Sequence, residues 1–170
     1  MSIKWEKIME TERRQFGNMG EADRFVYFLL LQFGSPYGWG KENPETSDCS
    51  GAVCMALYAA TGLLIRTAAD DLYRRVFTVK NPGQDMIRAA FFIDGKTGKA
   101  THVAGLVDEG VILNSQEPGA RVRELESVSA WFWNKGSSTA VRGLDRGAFA
   151  KLAGAGNAYG LDSEWGNYFE

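Results

Sequence analysis

The pattern of apolar residues changes near residue 83, and this change limits what the chain can fold into. Before it, residues 21–33 and 50–61 have the apolar composition and length of helices, and Gly62 is placed to end the second. After it come short β-branched or aromatic runs separated by turn sequences, at residues 86–93, 102–107, 111–115 and 120–125. Helices followed by an antiparallel meander predict an α+β domain.

Weaker signals complete the set of predicted elements. Residues 1–18 are expected to form a loose helix that covers part of the core. The helix over residues 21–33 is apolar around nearly its whole circumference, so we expect it to be buried. Thr67 can cap a short helix over residues 68–75. The remaining runs are expected to form a helix, 147–152, and edge or closing strands, 130–133 and 139–143.

The length of 170 residues suits one domain with its own hydrophobic core, and no repeat or long linker divides the chain. We assign residues 21–144 to this domain. Residues 1–20 are interpreted as an N-terminal helical extension, and residues 145–170 as a C-terminal extension that packs on the domain or trails from it. A monomer is expected.

Charge and hydropathy exclude some classes of function. The net charge is −2 and the Lys and Arg residues are dispersed, which argues against nucleic-acid binding. The most apolar run, residues 25–33, is far shorter than the ~20 residues that a membrane span needs. The charged start of the chain lacks the apolar segment of a signal peptide. We therefore expect synthesis in the cytoplasm without a signal peptide, and no membrane insertion.

The two cysteines differ in their surroundings. Cys49 and Cys54 would be about 7.5 Å apart along one helix axis, beyond disulfide reach, and with one histidine they make a zinc cluster improbable. Cys54 lies within the apolar helix and is expected to be a buried structural residue. Cys49 lies where a turn-rich loop meets the helix. Because a helix N-terminus lowers the pKa of a thiol, we interpret Cys49 as a nucleophile.

A nucleophilic thiol needs a base, and His102 is the only histidine in the chain. It opens a predicted strand, which would hold the imidazole rigidly. The predicted hairpin of residues 102–107 and 111–115 returns Asn114 toward His102, where an amide oxygen could orient the ring. Asn114 and Gln116 could each be strand-end residues instead; we favour Asn114 as the orienting group.

An acyl-transfer site also needs donors for the oxyanion. The backbone N–H of Cys49 is one candidate, and the phenol of Tyr37 at the front of the loop is the second. Asp48, Ser50 and Trp39 complete the predicted oxyanion and substrate-binding group. Packing alone is the alternative role for both Tyr37 and Trp39.

Three short segments together resemble the NlpC/P60 family of bacterial cell-wall hydrolases: PYGWG at 36–40, DCSG at 48–51 and HVAGL at 102–106. The LIRTA segment at 64–68 is also similar to the segment that follows the nucleophile helix in this family. The chain departs from the pattern at Lys41, where the family has a second loop glycine. It also departs in the strand before His102, and in the polar turn inserted at 94–101.

The resemblance implies a papain-like fold, with N-terminal helices and the nucleophile helix packed on a central antiparallel sheet. It places the nucleophile on Cys49, the general base on His102 and the third, polar member on Asn114. Tyr37 corresponds to the tyrosine that contacts the active site. The implied reaction is hydrolysis of peptidoglycan stem peptides, commonly at the γ-D-glutamyl–diaminopimelate bond, with no metal or organic cofactor.

The predicted function is therefore cysteine-dependent hydrolysis of amide bonds in peptidoglycan. One alternative is hydrolysis of a different bond. The enzyme would then be an N-acetylmuramoyl-L-alanine amidase, which cuts the amide between sugar and stem peptide, or a hydrolase of another amide or acyl bond. A second is a cell-wall-binding module without activity, which the presence of Cys49, His102 and Asn114 disfavours. Without a signal peptide, we expect delivery as a phage or prophage lysin, as a phage tail-associated hydrolase, or as an effector injected into another cell.

Overall fold

The computed structural model describes residues 19–38, 42–43 and 46–154 of the chain. The predicted helix at 1–18, the predicted site residue Trp39 and the tail from residue 155 lie outside the described residues. Within them, no helix is both long and apolar enough to cross a membrane.

As predicted, helices precede the strands of the main sheet: three of the described helices do so, while one further helix lies between two of these strands and one follows them. The helices are α1 (Glu21–Leu30), α2 (Cys49–Thr61), α3 (Ala69–Asp71, continued by a π-helical segment, Leu72–Val76), α4 (Leu125–Trp133) and α5 (Arg146–Gly154). The strands are β1 (Glu42–Asn43), β2 (Thr46–Ser47), β3 (Val79–Lys80), β4 (Arg88–Asp94), β5 (Ala100–Asp108), β6 (Val111–Gln116), β7 (Gly119–Glu124) and β8 (Ser137–Gly143). The predicted α+β class and the four-stranded meander β4–β7 are confirmed.

The main sheet has six antiparallel strands in the order β3-β8-β4-β5-β6-β7, and β1 and β2 form a separate two-stranded ribbon. A core lies on each face of this sheet. On one face, Phe91 and Val103 pack with residues of α1, α2 and α5. On the other, Phe92 and Ala104 pack with Val128 and Phe132 of α4. The strand β5 therefore lies between two packed layers.

One expectation about strands was wrong, and a second was confirmed only in part. Residues 130–133 belong to α4, because Val128 and Phe132 are four residues apart and turn the same face to the sheet. The strand over 139–143 exists as β8 but is not at an edge. It pairs with β4 from Arg88↔Gly143 to Asp94↔Ser137 and with β3 on its other side.

Two expectations about helices also need correction. The inner side of α1 is buried, but Leu30, Leu31 and Phe33 are exposed, because α1 ends at Leu30 and the chain turns away. Thr67 does not cap a helix backbone. Since α3 starts one residue later than expected, Thr67 Oγ1 instead donates to Asp71 Oδ2 at 2.7 Å.

The contact between α1 and β5 depends on Gly105. A Cβ at this position would overlap Leu29 Cδ1, and Leu29 is fully buried. We expect Gly105→Ala to lower the free energy of unfolding by about 1–3 kcal/mol, because a packed core does not accept an added methyl group without strain. Denaturant unfolding measures the change.

Gly147→Ala is the matched control for this prediction. Gly147 lies in α5, where an added Cβ would make an ordinary 3.6 Å contact with Asp145. Alanine favours a helix over glycine by up to about 1 kcal/mol, so this variant should be as stable as the parent or more stable. Equal effects of the two substitutions would contradict the close approach of α1 and β5.

Candidate active site

The first turn of α2 is capped by Asp48. Asp48 Oδ1 accepts from the backbone N–H of Gly51 at 2.7 Å and from the hydroxyl of Ser50 at 3.1 Å. Ser50 is buried. Asp48 and Ser50, which were predicted to bind substrate or the oxyanion, are thus seen in capping contacts, and Cys49 between them is the first residue of the helix.

The thiol of Cys49 is half-buried, and burial raises its pKa to about 11. The negative charge of Asp48 raises the pKa further, while backbone N–H groups of Val103, Ser50 and Cys49 act in the opposite direction. The expectation of a lowered thiol pKa is therefore wrong for this structure. Desolvation of the thiolate outweighs the helix N-terminus, so the resting group at neutral pH is a protonated thiol.

Alkylation by iodoacetamide tests this state of Cys49. The thiolate is the reacting form, so below a pKa of about 11 the rate at Cys49 should rise about tenfold per pH unit, here between pH 7 and 10. Cys54 is fully buried and should react far more slowly at each pH. Intact-mass measurements on Cys54→Ala and Cys49→Ala variants follow the two thiols separately. A rate at Cys49 that is already constant above pH 7 would show a low pKa.

His102 and Asn114 are paired across β5 and β6. His102 Nε2 lies 2.6 Å from Asn114 Oδ1, and both side chains are buried. Asn114 Nδ2 in turn donates to Gln116 Oε1 at 3.1 Å. Because the amide nitrogen is directed to Gln116, the oxygen faces the imidazole and Nε2–H donates to it. The tautomer with a free lone pair on Nδ1 follows from this chain of two hydrogen bonds.

Aromatic rings enclose the imidazole of His102. It stacks on Phe132 at 5.1 Å between ring centroids and lies 5.4 Å from the ring of Phe92. Burial lowers its pKa below the usual 6.5, while the hydrogen bond with Asn114 and the charge of Asp48 oppose this shift. The ring is therefore neutral at pH 7, as a proton acceptor must be.

Tyr37 is held beside the cysteine by backbone pairing of its loop to the β6–β7 turn. The Tyr37 N–H donates to the Pro118 carbonyl at 3.3 Å, and Pro36 forms a β-bridge with Gly119. Burial raises the pKa of the phenol to about 12, with further increases from the Cys49 thiolate that forms at such high pH and from the carboxylates of Asp48 and Glu117. The phenol therefore keeps its proton at neutral pH and can donate a hydrogen bond.

The structure thus places Tyr37 near Cys49 and the Cys49 thiol against the backbone N–H of Val103, the residue after His102. Asp48 lies near His102, which is paired with Asn114. Sequence reasoning did not identify two of the residues that contact this pair. Phe132 was assigned to a strand, so its stacking on His102 could not be foreseen. The contact between Gln116 and Asn114 could have been predicted from the sequence, because residues i and i+2 of one strand lie on the same face of the sheet.

The described residues include no group of three or more His, Cys, Asp or Glu side chains that could hold a metal ion. The side chains near Cys49 and His102 supply a thiol, an imidazole with a free lone pair, an amide that orients the imidazole, and N–H and O–H donors.

A thiol at a helix start, next to a strand whose histidine is oriented by a buried amide, is the arrangement that cysteine-dependent acyl transfer requires. The model of the NlpC/P60 family matches residues 34–142, a span that includes all of these residues. The chain belongs to the NlpC/P60 family, a family of cysteine peptidoglycan hydrolases.

Similar proteins agree with this family. Murein DD-endopeptidase MepH of Escherichia coli (strain K12) is 29% identical over 110 residues, which cover 63% of this chain and 40% of that protein. A Staphylococcus aureus protein of the NLP/P60 family superposes with a TM-score of 0.57 at 21% identity, covering 73% of this chain and 41% of that one. RipD of Mycobacterium tuberculosis is described as a non-catalytic NlpC/p60 domain protein adapted to a peptidoglycan-binding function. It superposes with a TM-score of 0.56 at 17% identity, and the match covers 73% of this chain and 97% of that one.

Proposed function

We propose that the protein hydrolyses amide bonds in peptidoglycan stem peptides, with Cys49 as nucleophile, His102 as general base and Asn114 as the residue that orients the base. The observation that carries this proposal is the 2.6 Å contact between His102 Nε2 and Asn114 Oδ1, with the Cys49 thiol against the backbone N–H of Val103, the next residue of the same strand. Because Nε2 is engaged with Asn114, Nδ1 of His102 is the nitrogen that can receive the thiol proton.

The resting state determines the first step. With the pKa of Cys49 raised to about 11 and that of His102 lowered, the free protein holds a neutral thiol and a neutral imidazole. Proton transfer from Sγ to Nδ1 then accompanies attack on the carbonyl carbon, so that the S–C bond forms as the S–H bond breaks. The imidazolium returns this proton to the leaving amine as the C–N bond breaks, and water hydrolyses the thioester.

Two groups are placed to stabilise the tetrahedral intermediate. The backbone N–H of Cys49 lies at the start of α2, where helix N–H groups have no intrahelical acceptor. The phenol of Tyr37 is protonated at neutral pH, and burial raises its pKa further, to about 12. We assign both as oxyanion donors, since a fixed donor at the developing charge is the largest catalytic contribution in many acyl-transfer sites.

Two bonds are candidates for the cut. The family resemblance favours the γ-D-glutamyl–diaminopimelate bond. The match to a relative whose name is murein DD-endopeptidase favours a bond between two D-centres, although this chain spans only 40% of that protein's length. We take the γ-D-glutamyl–diaminopimelate bond as the first candidate and the DD bond as the second.

A peptidoglycan digest tests the reaction and the bond together. The protein is incubated with purified sacculi, and the released fragments are identified by mass spectrometry. The proposal expects fragments with one new amino group and one new carboxyl group within the stem peptides. Release of intact stem peptides from the sugar would identify an amidase instead. Binding to sacculi without any fragments would assign the chain to a binding role, such as that named for RipD.

A further inference from the structure

A cavity of about 390 Å³ lies next to the paired side chains of β5 and β6. Its lining includes Asn114, the hydrogen-bond partner of His102, and also Arg121, Arg123 and Trp131. The volume falls within the range of sites for small ligands or ligand fragments. A group bound in this cavity would lie beside the orienting amide of the proposed catalytic site.

The register of the sheet fixes which way the two arginines face. Asn114 is opposite Arg121 in the β6–β7 pair, and Ile112 is opposite Arg123. Residues opposite each other in neighbouring strands share a sheet face. Both guanidinium groups therefore belong to the face that carries Asn114, which is the face covered by α4.

The charges that line the cavity favour an anion. Two guanidinium groups and one carboxylate, that of Glu117, are among its lining residues. Neither Arg121 nor Arg123 forms a salt bridge with another residue in the described part of the chain. Arg121 Nη1 donates to the Ala120 carbonyl at 2.8 Å, which uses only part of the five N–H donors of a guanidinium.

We propose that this cavity binds a carboxylate of the peptide substrate through Arg121 and Arg123, an inference that rests on the proposed function. A guanidinium matches the two oxygens of a carboxylate with paired N–H donors. Trp131, which is 46% exposed at the rim, offers a flat apolar wall for the aliphatic part of the same residue. The site thus selects acidic peptides and positions them beside His102.

Equilibrium binding provides the test. A synthetic γ-D-glutamyl–diaminopimelate peptide is prepared as the free acid and in a form with every carboxyl group amidated. Calorimetry on the Cys49→Ala variant measures both affinities without turnover. The free acid should bind about tenfold more tightly than the amide, as expected for charge-assisted hydrogen bonds at a partly exposed site. The added substitution Arg123→Gln should remove this preference.

Arg75→Gln serves as the charge-matched control, because Arg75 is exposed on the π-helical segment and does not line the cavity. It should leave the tenfold preference unchanged. The proposal is overturned by equal affinity for the two peptide forms, by a preference that survives Arg123→Gln, or by no binding of either form. Failure of the proposed function would appear separately, as a parent protein that releases no fragments from sacculi.

Discussion

Cys49→Ala is expected to reduce the release of fragments from peptidoglycan by at least about 10³-fold, the loss typical of removing a nucleophile. Alanine has no atom that can form the thioester, and the proton acceptor on His102 then has nothing to activate. The helix should be unaffected, because Asp48 caps α2 through the backbone of Gly51 and not through Cys49. Fragment release per mole of protein, measured at equal folded concentration, gives the ratio.

Cys54→Ala is the matched control within the same helix. Cys54 is fully buried, and its sulfur lies 3.9 Å from the Thr67 carbonyl in the main core. The substitution should cost some stability but leave the rate within about twofold of the parent at a temperature where both are folded. Undiminished hydrolysis by Cys49→Ala would show that another group is the nucleophile.

The second large effect is expected at Phe132, which stacks on His102. Phe132→Ala should destabilise the protein by about 3 kcal/mol through loss of buried aromatic surface. It should also raise the pKa of His102 toward 6.5, because burial is the main cause that lowers it. At a given acidic pH more of the base is then protonated and inactive, so the acid limb of the pH–rate profile moves to higher pH.

The chain has a single histidine, so the imidazole signal in an NMR titration reports this pKa without overlap. Phe149→Ala is the control, since Phe149 is fully buried in the core on the opposite face of the sheet. It should lose comparable stability without moving the His102 titration. If Phe132→Ala proves too unstable, Phe132→Leu keeps much of the volume and should move the titration in the same direction. An unchanged titration in the folded variant would contradict the desolvating role of Phe132.

Much of the fold could be predicted because its signals are local. The capped start of α2, the left-handed Gly62 at its end and the turns between β5, β6 and β7 are each encoded within a few residues. The pairing of His102 with Asn114 followed from hairpin geometry, since strands joined by a tight turn bring residues together in a defined register. The catalytic roles of these residues, the domain boundaries and the delivery route stay predictions.

What could not be predicted depends on packing between distant segments. The raised pKa of Cys49 results from the surfaces that enclose it, and the helix position alone pointed to the opposite direction. The aromatic run of residues 131–133 has strand composition, but the tertiary contact of Val128 and Phe132 with the sheet selects a helix. The interior place of β8 depends on a crossover that no local signal reports.

The position of β8 has a consequence for how the protein is made. Strand β4 pairs with β5 on one side and with β8 on the other, so one side of β4 remains an open edge until residues 137–143 have left the ribosome. An unpaired edge of this length can template pairing with other chains. We therefore expect the sheet to close only after nearly the whole described chain has been synthesised, and C-terminal truncations before residue 143 to aggregate rather than fold.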